Sequence, residues 1–132
     1  VDPTFFNSYV YPATAESNLD AMQEKGLTLC FHGHSHIPGA WQRNAGGVDH
    51  FSLPSRLALD PRSRHLVCPG SVGQPRDSDT RAQYAIYDRA QGTVEFRAIP
   101  YDRPRLAAAL RAQAFPEFIC RQFRFTALAE EV

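Results

Sequence analysis

Three histidines at alternate positions, His32, His34 and His36, form the one cluster in this sequence whose residue types and spacing could do chemistry. Imidazole nitrogen is a good ligand for zinc, manganese, iron or nickel. Two such ligands are too few to hold any of these ions alone, so a metal here needs donors from elsewhere. Gly33 is expected to let the backbone turn sharply, aiming neighbouring imidazoles at different points instead of in a row. The other two histidines, His50 and His65, stand singly on expected strands and read as structural.

Several elements must position this cluster. Leu27–Phe31 is a short apolar run bounded by turn residues, which predicts a buried strand ending at the histidines. Ligands at the carboxyl end of a strand sit where open α/β sheets present their sites. Before it, the pattern predicts a helix from about Thr14 to Lys25, capped by Thr14 and stopped by Gly26. Residues 1–12, rich in Phe, Tyr and Pro, read as a packed loop. After the cluster, Ala40–Arg43 and Val48–Leu53 read as strands joined by Asn44–Gly47, and His65–Cys68 as another strand after a turn at Asp60–Ser63. A Gly- and Pro-rich loop follows through Pro75. Gln83–Asp88 and Thr93–Ile99 alternate as a hairpin, and Asp102 caps a helix running to about Gln113. A last short turn from Pro116 is expected to point Phe118, Ile119 and Phe123 inward. The result is a mixed α/β domain with a largely antiparallel sheet, taken as one unit over residues 1–132.

Composition narrows the function classes. The chain has 14 Lys+Arg against 14 Asp+Glu, so it lacks the basic surplus of a protein that lives on nucleic acid. All but one of those cations are arginine, Lys25 being the exception. Cys30, Cys68 and Cys120 are odd in number and widely spaced, which fits free thiols in a reducing cytoplasm and no disulfide framework. No apolar run approaches a membrane span and no signal-peptide pattern opens the chain. Val1-Asp2-Pro3 reads as a start within a longer protein.

The segment Phe31-His32-Gly33-His34-Ser35-His36-Ile37-Pro38 resembles the last signature of the calcineurin-like metallophosphoesterases, Gly-His-x-His followed by an apolar residue and proline. Three further stretches are similar to the small bacterial branch of that superfamily. Cys68-Pro69-Gly70-Ser71-Val72-Gly73-Gln74-Pro75-Arg76 resembles its Asn-Pro-Gly-Ser-Val-Gly-Gln-Pro-Arg loop, with Cys68 in place of asparagine. Tyr84–Asp88 resembles the strand after that loop, and Phe115-Pro116-Glu117-Phe118 its closing Leu-Pro-Glu-Phe helix start.

The resemblance implies the C-terminal half of a four-layer αββα sandwich, this chain building most of one sheet and leaving that sheet's apolar face for a partner. It implies a metal-dependent phosphoesterase with two divalent cations (manganese, zinc, iron, nickel or magnesium), His34 binding one and His36 the other. Gly70, Ser71 and Arg76 would lie at the mouth of the site, near a phosphate-containing substrate. His32 stands outside the motif and reads as packing or as support for the ligands. The superfamily's earlier signatures, Asp-x-His, Gly-Asp-x-x-Asp and Gly-Asn-His, do not occur in this sequence. The chain alone is therefore expected to be inactive, and to associate with the missing N-terminal half or a second copy. The same fold without a complete ligand set also implies a second possibility, a non-catalytic binding scaffold.

Overall fold

The computed structural model describes residues 10–52 and 54–121. Most of the aromatic segment expected as a packed loop, together with Leu53 and Phe123, lies outside them. The described residues form two compact units, the first ending at Ile99 and the second beginning at Pro100.

In the first unit, helix α1 spans Pro12–Glu24. It begins two residues before the expected start because Pro12 is pre-set for a first helical turn, where its missing N–H costs nothing. Thr14 is not the N-cap. It sits one turn in, where its hydroxyl accepts the Tyr11 N–H at 3.0 Å. Seven strands follow: β1 (Leu29–Phe31), β2 (Gly39–Asn44), β3 (Gly47–Ser52), β4 (Arg56–Ala58), β5 (Arg64–Cys68), β6 (Ala82–Asp88) and β7 (Thr93–Ile99). The short β4 had no clear signal in the sequence. The strands make a four-stranded sheet, ordered β1-β5-β2-β3, and a three-stranded sheet, ordered β4-β7-β6. Every pairing is antiparallel except that of β1 with β5.

The two sheets pack on each other inside this chain. Ala40, Leu57, Val67 and Val94 form the layer between them, with Leu29, Phe51, Ala85 and Phe96 at its margins. The expectation of one sheet with a wholly open apolar face is therefore corrected: β4, β6 and β7 supply the second sheet. On the opposite face of the four-stranded sheet, Ala15, Leu19 and Met22 of α1 pack with Leu66, against Cys30, Trp41 and Val48. Leu19 and Met22 are fully buried, worth about 1.5–3 kcal/mol each relative to exposure. Arg43 of β2 ties α1 to this face through Asp20 and Glu16.

β1 is not a buried strand. Among the described residues it pairs only with β5, so it is an edge, and Leu27 and Phe31 remain 39% and 42% exposed. In the second unit, helix α2 (Arg103–Ala112) is capped as expected, the Asp102 carboxylate accepting the Arg105 N–H at 2.8 Å. Helix α3 (Glu117–Arg121) buries Cys120 and leaves Phe118 outside, contrary to expectation. No described helix is long and apolar enough to cross a membrane.

Candidate metal centre

Because β1 and β5 are parallel, the loops that follow them emerge at the same end of the sheet. The ladder runs one residue past β1, the His32 N–H donating to the Val67 carbonyl at 2.9 Å. The sharp turn beyond is made by the histidines themselves. His34 (φ 70°) and His36 (φ 59°) both lie in the left-handed region, whereas Gly33, the expected pivot, does not. Histidine is among the few non-glycine types enriched there. Each such residue still costs about 1–3 kcal/mol and persists only where its surroundings hold it.

The loop after β5 does that holding. The His36 ring bonds through Nδ1 to the Gln74 carbonyl at 2.8 Å. Arg76 donates its main-chain N–H to the His36 carbonyl and its Nη1–H to the His34 carbonyl, both at 3.4 Å. The buried Ser35 hydroxyl points to Sγ of Cys68 at 3.6 Å. A carbonyl only accepts, so Nδ1 of His36 carries the proton. In the neutral ring Nε2 is then a bare lone pair, the form that binds a cation.

The second loop is itself fixed by one residue that the sequence did not single out. Gln83 of β6 is 3% exposed. Its Oε1 accepts the Ser71 N–H at 3.1 Å, and its Nε2 donates to both Asp77 oxygens at 3.0 and 2.8 Å. Its own main-chain N–H donates to the Ser71 carbonyl at 3.0 Å. Gly70 passes over this amide at φ 96°, so close that a Cβ there would lie 2.4 Å from Oε1. The Ser71 hydroxyl accepts the Gln74 N–H at 2.9 Å, setting the carbonyl that orients His36. A signal did exist: Gln83 is a polar residue on the same strand face as Ala85, which packs at the margin of the layer between the sheets. Gln74 acts through its backbone and carries none.

The sequence-derived residues thus fall on two touching loops, His34 and His36 on one, Gly70, Ser71 and Arg76 on the other. His34 and Arg76 are exposed, and His36 is partly so. His32 lines an adjacent cavity of about 230 Å³ with Ser35, Ile37 and Trp41. Burial lowers its pKa, opposed by its bond to the Gly33 carbonyl. His50 stacks on Trp41 with ring centroids 4.0 Å apart and lines the same cavity as His32, and His65 is buried on β5, so neither lies on the loop of His34 and His36. Among the described residues no three His, Cys, Asp or Glu side chains come together to hold a metal. The bare Nε2 of His36 suits a cation, and any further donors would come from outside the described residues.

No protein-family profile matches the chain. It is 33% identical over 91 residues to an uncharacterized protein, MJ0912, of Methanocaldococcus jannaschii, covering 69% of this chain and 36% of that one. The crystal structure of a metallophosphoesterase from Sphaerobacter thermophilus superposes with a TM-score of 0.75 at 30% identity, over 88% of this chain and 49% of that one. The hypothetical protein PH1004 from Pyrococcus horikoshii shares the fold, with a TM-score of 0.62 at 18% identity, over 89% of this chain and 40% of that one. The chain therefore spans half the length of these relatives or less. Fold, ordered signatures and sequence identity agree: over the part that it spans, this chain has the fold of a calcineurin-like metallophosphoesterase and corresponds to the C-terminal half of one.

Proposed function

We propose that this chain contributes His34 and His36 to a two-cation centre that hydrolyses a phosphate ester or phosphodiester, the other ligands coming from residues outside it. The observation that carries the reading is the His36–Gln74 hydrogen bond, which leaves Nε2 of His36 as the free donor atom on an accessible loop. When bound, a pair of divalent cations supplies positive charge to the phosphoryl oxygens and lowers the pKa of a water. The chain's own residues aim and orient: Gln74 fixes the His36 tautomer, and Arg76 braces both histidine carbonyls. Arg76, exposed on the same loop as Gly70 and Ser71, is in this reading the cation that meets a phosphate oxygen. Three free cysteines suit a reducing compartment such as the cytoplasm.

The test is metal-dependent hydrolysis of a generic phosphodiester by the assembly that completes the site. His34→Ala or His36→Ala should lower the rate by at least about 100-fold, the upper range seen when only a ligand's supporting partner is lost. An unchanged rate in folded variants contradicts the assignment. Absence of both metal binding and hydrolysis in the complete assembly favours the scaffold reading.

A further inference from the structure

α1 does not cover its face of the four-stranded sheet as far as the end where β1 and β5 stop. Cys30, Trp41 and Leu66 pack under the helix. Side chains alternate along a strand, so His32 and Cys68, each two residues further on, lie on the same face. His50 pairs with Trp41 across β2 and β3 and shares that face. The helix starts only at Pro12, and beyond it these residues enclose a cavity of about 230 Å³. Protein interiors hold few voids larger than a water molecule, so a space of this size calls for an occupant.

The cavity borders the loop of the candidate metal centre. Ser35 and Ile37 line it, and they alternate in sequence with His34 and His36. Its wall is aromatic. Tyr11, Trp41 and His50 line it, the last two stacked with 22° between their planes. The Ser35 hydroxyl is turned to Sγ of Cys68, so that proton is already engaged. His32 differs. Its Nδ1 meets the Gly33 carbonyl at 3.2 Å, and a carbonyl only accepts, so Nδ1 holds the proton. Nε2 of the neutral ring is then an acceptor that a donor can meet. Drug-sized ligands take about 300–1,000 Å³ and benzene fits about 150 Å³, so the space suits one ring or a fused pair.

We propose that this cavity is the specificity pocket of the phosphoesterase site and takes the organic group of the ester, a compact flat ring carrying one N–H or O–H for Nε2 of His32. The ring lies against the aromatic wall of Trp41, and the phosphate stays at the loop of His34 and His36. The substrate class is thus an aryl or heteroaryl phosphate ester, in preference to short alkyl esters that leave the cavity empty. This inference rests on the phosphoesterase reading, since it names the substrate of that same site.

The test uses isotope-labelled protein in its native assembly, first stripped of metal, with indole as the probe. Trp41 is the one tryptophan of the sequence, and its signal is assigned by its loss in Trp41→Phe. Indole should shift that signal and Nε2 of His32. It should bind at least about fivefold more tightly than N-methylindole, which lacks the N–H. His32→Phe should erase that difference. Metal is then restored, and indole should weaken the binding of phenylphosphonate several-fold without affecting that of methylphosphonate. Indole that leaves Trp41 and His32 undisturbed overturns the proposal alone. So does equal binding of N-methylindole, or an equal response of the two phosphonates. Indole that binds when neither phosphonate does overturns the phosphoesterase reading, and this proposal with it.

Discussion

His36 donates Nδ1–H to the main-chain carbonyl of Gln74, 38 positions further on, at 2.8 Å, and the described residues between them form strands and loops. One ring on the loop after β1 is thus oriented by one carbonyl on the loop after β5. The parallel pairing of these strands is what makes the contact reachable. The direction of the His36 ring is accordingly a property of the second loop.

Gln83 is its anchor. Gln83→Ala should destabilise the first unit by about 1–3 kcal/mol, since it leaves the Ser71 N–H and the Asp77 carboxylate without their partner. Gln83→Glu should be worse, because it sets a second carboxylate against Asp77. Urea denaturation measures both. Equal stability of Gln83→Glu and the parent chain would show that the network carries no weight.

Gly70→Ala should cost about 1–3 kcal/mol, from a side chain forced to positive φ and a Cβ driven into the Gln83 amide. At about 4–8 °C per kcal/mol for a unit of this size, the loss is visible in a thermal melt. Gly73→Ala, where nothing lies within 4 Å of the added carbon, is the control and should melt with the parent.

Stability should fall as the solution is acidified from about pH 7.5 to 5.5. Burial lowers the His65 pKa from its ordinary 6.5, opposed by a hydrogen bond to the Thr28 carbonyl and the charge of Asp60. The unfolded chain therefore binds the proton first, and the stability present above pH 6.5 is lost as pH drops through the lower folded value. His32, also lowered by burial, adds in the same direction. Denaturant midpoints across this range should fall less steeply in His65→Gln than in the parent chain. An identical slope would place the pH dependence elsewhere.

Much of this fold was legible because its signals are local. The β2–β3 turn, the β6–β7 hairpin and the Asp102 cap each follow from a few adjacent residues. The partition into two sheets was not, since β4 has three residues and β1 reads as apolar whether it is central or an edge. The strand Leu27–Phe31 looked buried because its residues suit burial, and their exposure reflects the place of β1 at a sheet edge among the described residues. At the site, residue type pointed to His34 and His36, yet their left-handed backbone and the Gln74 carbonyl depend on a loop about 40 positions away.

The 132-residue chain, given manganese, should hydrolyse a generic phosphodiester no faster than its His34→Ala/His36→Ala variant. Two imidazoles without carboxylate partners do not hold a pair of cations. A metal-dependent rate lost in the double variant would mean that the ligand set is completed within this chain.

The loop after β1 should present a metal-ready imidazole, and nitrogen NMR of the histidine rings tests this most directly. In the metal-free chain at pH 8, His36 should show a protonated Nδ1 and a bare Nε2. Sub-stoichiometric Zn²⁺ should then shift or broaden Nε2 of His34 and His36 before it affects His50 or His65. A His36 ring protonated at Nε2, or zinc that goes first to His50, contradicts the account.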